Sequence, residues 1–171
     1  DKGEGWASFD LTPQLNVAAS FDALNVYPGG PDPVLSFTAT GKAINPRTIK
    51  VSVNGDTVVS TSLDYFDMIK VDSTFPIAKI AGTDKALISV KNNAAVSSDR
   101  MVVGQIELKY PRKFNFGGAA NFEFVIPANT NGNYLEITNF NYGAIAPMLY
   151  DLTNKQRYKG DILTTPGTVK I

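Results

Sequence analysis

The chain has 171 residues, 43% of them hydrophobic and 19% charged, which fits one packed globular domain and argues against a disordered tail. Its 16 basic and 16 acidic residues give a formal net charge of zero, without the broad basic surface that nucleic acid requires. It has no Cys and no His, so Cys nucleophiles, His general bases, Ser-His-Asp triads and the usual zinc sites are excluded.

The chain opens DKGEGW, with neither a basic nor an apolar signal region, and no stretch approaches the ~18 consecutive apolar residues of a membrane span. It closes on TVKI, a strand-like run without a polar tail. Both ends read as cuts, so the expectation is a single domain, residues 1–171, taken from a larger protein, with the compartment left open by the lack of cysteine.

Helix signals are nearly missing, because apolar residues nowhere keep a three-and-four spacing for eleven residues without Gly, Pro or Asn intervening. After Trp6 and Phe9, the first irregular stretch is Tyr27 to Pro33, YPGGPDP, expected as a long loop over one end of the fold. Val34 to Ala39 and Ile49 to Val53 alternate with period two, as half-buried antiparallel strands do. Asn54-Gly55, flanked by valines, predicts a type I′ hairpin.

Lys85 to Lys91 alternates again, and a longer strand is predicted from Met101 to about Tyr110, with Ile106, Leu108 and Tyr110 on one face and Glu107 and Lys109 on the other. Pro111 ends that strand or sets it at an edge. Gly117-Gly118 forms a loop, and strands follow at Asn121 to Ile126, Tyr134 to Phe140 and Met148 to Leu152, with turns at Asn131-Gly132 and Thr153 to Lys155. Roughly ten short strands at this spacing indicate an all-β fold: a two-sheet antiparallel sandwich, jelly-roll-like, with little or no helix.

Chemistry-bearing groups have plainer readings. Lys109, Arg112 and Lys113 make the densest basic cluster, which suits a solvated strand end better than a phosphate site. Glu107, Glu123 and Glu136 could in principle serve as paired carboxylates, but each alternates with apolar residues as surface acids do. Asp64 and Asp67 flank Tyr65-Phe66, and spacing does not show whether they converge. Ser97-Ser98-Asp99 offers a single carboxylate, too little charge for calcium. Trp6, Tyr27, Tyr65, Tyr134, Tyr142 and Tyr158 would suit a sugar platform, yet core or edge packing is the expectation for most of them. No catalytic, cofactor-binding or metal residue is assigned.

Residues 100–112, RMVVGQIELKYPR, resemble a strand of gingipain-type proteins with the pattern Ile106-Glu107-Leu108-x-Tyr110-x-Arg112. Gly118 to Phe124 (GAANFEF), Tyr134 to Phe140 (YLEITNF), Pro147 to Asn154 (PMLYDLTN) and Gln156 to Tyr158 are similar in order and spacing, and Gly3, Trp6 and Phe9 resemble the opening of the same β-rich region. The family is the PorU-type sortase of the type IX secretion system, a gingipain-like cysteine peptidase. The resemblance implies a noncatalytic domain preceding the peptidase domain, located outside the cytoplasm at the outer-membrane surface or secreted from a larger surface protein, with the catalytic Cys and His outside this chain. It implies as partners that downstream domain and secretion-system or cargo proteins, with Trp6, Tyr110, Arg112, Asp151, Arg157 and Tyr158 as candidate interface residues. The alternatives are a carbohydrate-binding jelly roll, marked by a coplanar row of exposed Trp and Tyr, and a structural spacer.

Overall fold

A computed structural model describes residues 6–171, so the Gly3 part of the opening motif lies outside the described residues. The chain gathers into two compact units, Asp1–Arg112 and Lys113–Ile171.

Unit 1 is an antiparallel sandwich. One sheet has the order β1 (Asn16–Asp22), β6 (Lys85–Asn92), β3 (Arg47–Val53), β4 (Asp56–Leu63); the other is β5 (Met68–Thr74), β2 (Val34–Gly41), β7 (Met101–Lys109). The pairings β3–β6 and β2–β7 nest around the β4–β5 turn, the wrapped order of a jelly roll. Period-two patterning builds the interior: Leu35, Phe37 and Ala39 from one sheet and Ile49, Val51, Val53, Ile88 and Val90 from the other belong to one buried cluster. The single helical turn α1, Ala78–Ala81, adds Ile80 to it.

The Asn54-Gly55 hairpin forms as predicted, with φ of 51° and 94°. The β7 pattern also holds from Ile106 on, where Ile106, Leu108 and Tyr110 pack on the core and Glu107 and Lys109 are exposed. The first half of β7 has the opposite phase, since Met101 and Val103 are buried. A bulge at Gly104, where Thr38 pairs with Gln105 but Ala39 with Val103, inserts the residue that changes phase.

Unit 2 holds two short pairings: β8 (Glu136–Thr138) with β11 (Thr168–Lys170), and β9 (Met148–Asp151) with β10 (Gln156–Lys159). Phe116, Leu135, Ile137 and Val169 are its buried cluster. The strand expected at Asn121 to Ile126 does not form, and that expected at Tyr134 to Phe140 shrinks to Glu136–Thr138. Phe122 stacks on Phe116 at 4.3 Å and Phe124 meets Phe114 edge-on at 5.2 Å, so ring packing orders this segment without a hydrogen-bonded ladder. Among the described residues, no helix is long and apolar enough to cross a membrane.

Candidate functional site

The most constructed region lies at one end of unit 1, around a polar cluster in an otherwise apolar interior. Arg47 occupies the inward phase of β3, in line with Ile49, Val51 and Val53, and its side chain is fully buried together with that of Asp99. Its Nε donates to Asp99 Oδ2 at 2.7 Å and its Nη2 to Oδ1 at 3.0 Å, a bidentate pair. Nη1 donates to the Tyr65 carbonyl at 2.9 Å, and Nη2 to those of Ala43 and Asn45 at 3.0 and 2.9 Å. Asn92 donates to Asp99 Oδ2 at 2.8 Å and to the Leu11 carbonyl at 3.1 Å. One guanidinium thus ties the β2–β3 loop, the β4–β5 turn and the β6–β7 loop together, with every carbonyl it faces satisfied.

Burial by itself would raise the Asp99 carboxyl; the hydrogen bonds from Arg47 and Asn92, with the Arg47 charge, outweigh it and hold the group below its ordinary value. The loop read as a weak calcium candidate is therefore a structural anchor: its one carboxylate faces inward and is consumed by Arg47, Asn92 and the core. Arg47 itself escaped the sequence reading, although an arginine in phase with three core valines and isoleucines was a usable signal.

The anchor leaves no slack. A Cβ at Gly41 would lie 1.9 Å from the Tyr65 carbonyl oxygen and 2.0 Å from Arg47 Nη1, so only glycine fits there. Tyr65 is held at φ 45°, a conformation uncommon for a bulky residue. Its amide donates to the Asn45 carbonyl while its own carbonyl accepts from Arg47. Around this backbone Ile44, Tyr65, Phe66 and Met68 stand exposed, with Asp64 and Asp67 exposed beside them.

The six interface candidates divide between the units. Trp6 is 97% exposed, in a segment that runs beside the first half of β7 through the Ser8 amide and the Val103 carbonyl. Tyr110 is half-buried against the core at the other end of β7, and Arg112 follows in an isolated bridge with Val26. Asp151, Arg157 and Tyr158 do come together, on the β9–β10 hairpin, but on different faces: Arg157 opposes Tyr150, while Tyr158 opposes Leu149 and Asp151 opposes Gln156. The Asp151 carboxylate caps its own turn, accepting from the Asn154 side chain and the amides of Asn154 and Thr153, which together hold it below its ordinary value against the opposing effect of burial. Tyr158 hydrogen-bonds Gln156 through its hydroxyl.

The aromatics need a correction. Trp6, Tyr27, Tyr65, Tyr134 and Tyr158, expected mostly in the core or at its edges, are exposed, and Tyr142 is half-buried. The core of unit 1 is filled by aliphatic side chains instead, with Phe37 and Phe75 its only buried rings among the described residues. Within unit 1 Tyr27 and Tyr65 stand apart: Tyr27 lies by Pro111 beyond the end of β7, whereas Tyr65 lies near Gly41, opposite its beginning. In unit 2 an open groove of about 730 Å³ is lined by glycines with Asn139, Phe140, Asn141 and Tyr142. Glu107, Glu123 and Glu136 are all exposed, as expected of surface acids.

No family model and no curated protein matches the chain. Among solved structures it is similar to dimeric latent PorU from Porphyromonas gingivalis, at 10% identity and a TM-score of 0.56, over 97% of this chain. The chain spans 16% of that protein's length. It is also similar to the C-terminal domain of EclA, a sugar-binding protein (11% identity, TM-score 0.50, 64% of this chain and 81% of the other). A third structure is the carbohydrate-binding module CBM36 in complex with calcium and xylotriose (14% identity, TM-score 0.46, 63% and 91%). At identities of 10 and 11%, the likeness to PorU and to EclA speaks to fold alone.

Proposed function

We propose that this chain is a noncatalytic β-rich domain of a gingipain-like sortase of the type IX secretion system, working outside the cytoplasm, where it supports the peptidase domain and helps it engage cargo or secretion partners. The observation that carries this reading is the extent of the PorU similarity, which takes in 97% of the chain and therefore reaches into both units. It agrees with the order of motifs from Arg100 to Tyr158. The sequence supplies neither Cys nor His, so a cysteine peptidase's chemistry would rest on residues elsewhere in a parent protein.

The test is to sequence the parent reading frame on both sides and to co-express this chain with whatever domain follows it. A Cys-His peptidase domain after Ile171 that co-elutes with this chain in size-exclusion chromatography supports the proposal. A glycosidase or an adhesin repeat in that place overturns it, and carbohydrate binding then becomes the leading role.

A further inference from the structure

We propose that the β4–β5 turn, Asp64 to Asp67, is a preorganised docking tip for a separate protein, which it grips through a segment carrying Lys or Arg beside an apolar side chain. The argument begins with backbone strain. Tyr65 sits at positive φ without glycine's freedom, a conformation that persists only where the surroundings over-determine it. Here they do: Arg47 Nη1 holds its carbonyl, the Asn45 carbonyl holds its amide, and the Gly41 backbone packs where no side chain could fit.

A buried ion pair spent on fixing an exposed turn adds nothing to the turn's own burial. Tyr65 remains 54% exposed and Phe66 61%. Ile44 on the neighbouring loop and Met68 at the start of β5 extend the apolar surface. Aromatic rings and Met carried in the open on a fixed backbone are the side chains that concentrate binding energy at protein interfaces. Rigidity matters because the ordering entropy is already spent before the partner arrives.

Charge then selects the occupant. Asp64 and Asp67 flank the two rings, and neither is among the ion pairs of the described residues. Of the cations around the tip, Arg47 is neutralised inside by Asp99 and Lys42 at the end of β2 reaches Asp10 at 2.5 Å, while Lys70, exposed two residues beyond Met68 on β5, is in none of these pairs and bounds the acidic rim on that side. The tip therefore offers an apolar centre with an acidic rim, complementary to a basic and apolar segment.

The tip reading stands apart from the sortase reading and is tested on the whole chain. A phage-displayed library of random 12-residue peptides is panned against the immobilised protein. The selected peptides are titrated against wild type, Tyr65→Gly/Phe66→Ser and Asp64→Asn/Asp67→Asn. Glycine at 65 keeps the positive φ and removes the ring, so the first variant's unfolding midpoint should hold while binding is lost. Peptides rich in Lys or Arg next to Leu, Ile, Phe or Met should emerge and bind the ring variant at least about tenfold more weakly. They should also lose affinity in the Asn variant and with added salt. Absence of enriched peptides, peptides without basic residues, or affinity indifferent to both variants overturns the proposal. Self-association of the chain that Tyr65→Gly/Phe66→Ser abolishes also overturns it, by assigning the surface to a second copy.

Discussion

Among the described residues, unit 1 buries eighteen hydrophobic side chains in one cluster between two sheets, whereas unit 2 buries four and leaves Val125, Ile145, Leu152 and Leu163 largely exposed. The same chain thus holds a sandwich with a core to spare and a smaller unit organised by rings and turns. A unit of about 60 residues sits near the lower limit at which one core suffices, where the net stability is about 3–5 kcal/mol at most. Unit 1 can carry a strained turn and a buried ion pair; unit 2 has no such reserve.

The largest expected effect follows from that difference. Phe116 is the hub of unit 2, stacked on Phe122 and edge-on to Phe140 at 5.3 Å. Phe116→Ala should cost about 3–5 kcal/mol, as much as the whole unit has. Hydrogen exchange should then show amides of residues 113–171 unprotected while those of unit 1 remain as in wild type. Retained protection around Ile137 and Val169 would show that unit 2 is more robust than its core implies.

Next comes Arg47→Met, which strands Asp99 in the core and releases the carbonyls of Ala43, Asn45 and Tyr65. Removing one partner of a buried pair costs about 3–5 kcal/mol, but unit 1 should survive it with its two sheets intact. Exchange should rise sharply in residues 42–46, 64–67 and 93–100 and little in Ile49 to Val53. Global loss of unit 1 would mean that the ion pair, not the aliphatic core, decides its fold.

How much of this the sequence disclosed follows the same division. Central strands with strong alternation, such as Val34 to Ala39 and Ile49 to Val53, were legible because burial on one face forces the pattern. The edge strands β1 and β5 escaped notice, since every second residue is only half-buried and the contrast between faces is weak. Asn121 to Ile126 misled in the opposite direction: its phenylalanines alternate, but they pack on other rings rather than lie in a sheet. Asp99 was legible as a residue but not as a role, because its partner Arg47 stands 52 positions away and only the fold brings them together. The aromatic tip showed as a spacing, Asp64 and Asp67 around two rings, without the strain that gives it meaning.

Acid should also separate the units. Asp99 titrates below its ordinary value when folded, and the unfolded chain restores it to about 3.9. The stabilisation is therefore complete above that ordinary value and is lost as pH falls through the lower folded one. In unit 2, Asp151 and Asp161 are held low as well, but Asp161 is exposed and Asp151 only half-buried, each capping its own turn where solvent weakens the effect. Urea titrations followed by NMR between pH 6 and 2 should show the unit 1 midpoint falling in acid, with the slope flattened in Asp99→Asn. A slope unchanged in that variant would place the acid sensitivity elsewhere.

The smallest effect tests whether turns are anchored alike in the two units. Gly55 and Gly132 sit at φ of 94° and 79°, each with open space where a Cβ would go, so alanine meets only backbone strain at either site. At Gly55 the chain cannot relax. Asn54 donates to the Lys79 and Lys85 carbonyls and to Thr83, accepts from the Leu87 amide, and is followed by β4 in register with β3. Gly55→Ala should therefore cost about 1 kcal/mol or slightly more. Gly132 lies in a turn without flanking strands, held by its amide to the Asn129 carbonyl. That loop can shift into an allowed conformation, so Gly132→Ala should cost only a few tenths of a kcal/mol. Equal losses in the two variants, read from urea midpoints of each unit, would mean that the Asn131-Gly132 turn is as firmly fixed as the hairpin, and that unit 2 owes more of its order to turns than its four buried side chains suggest.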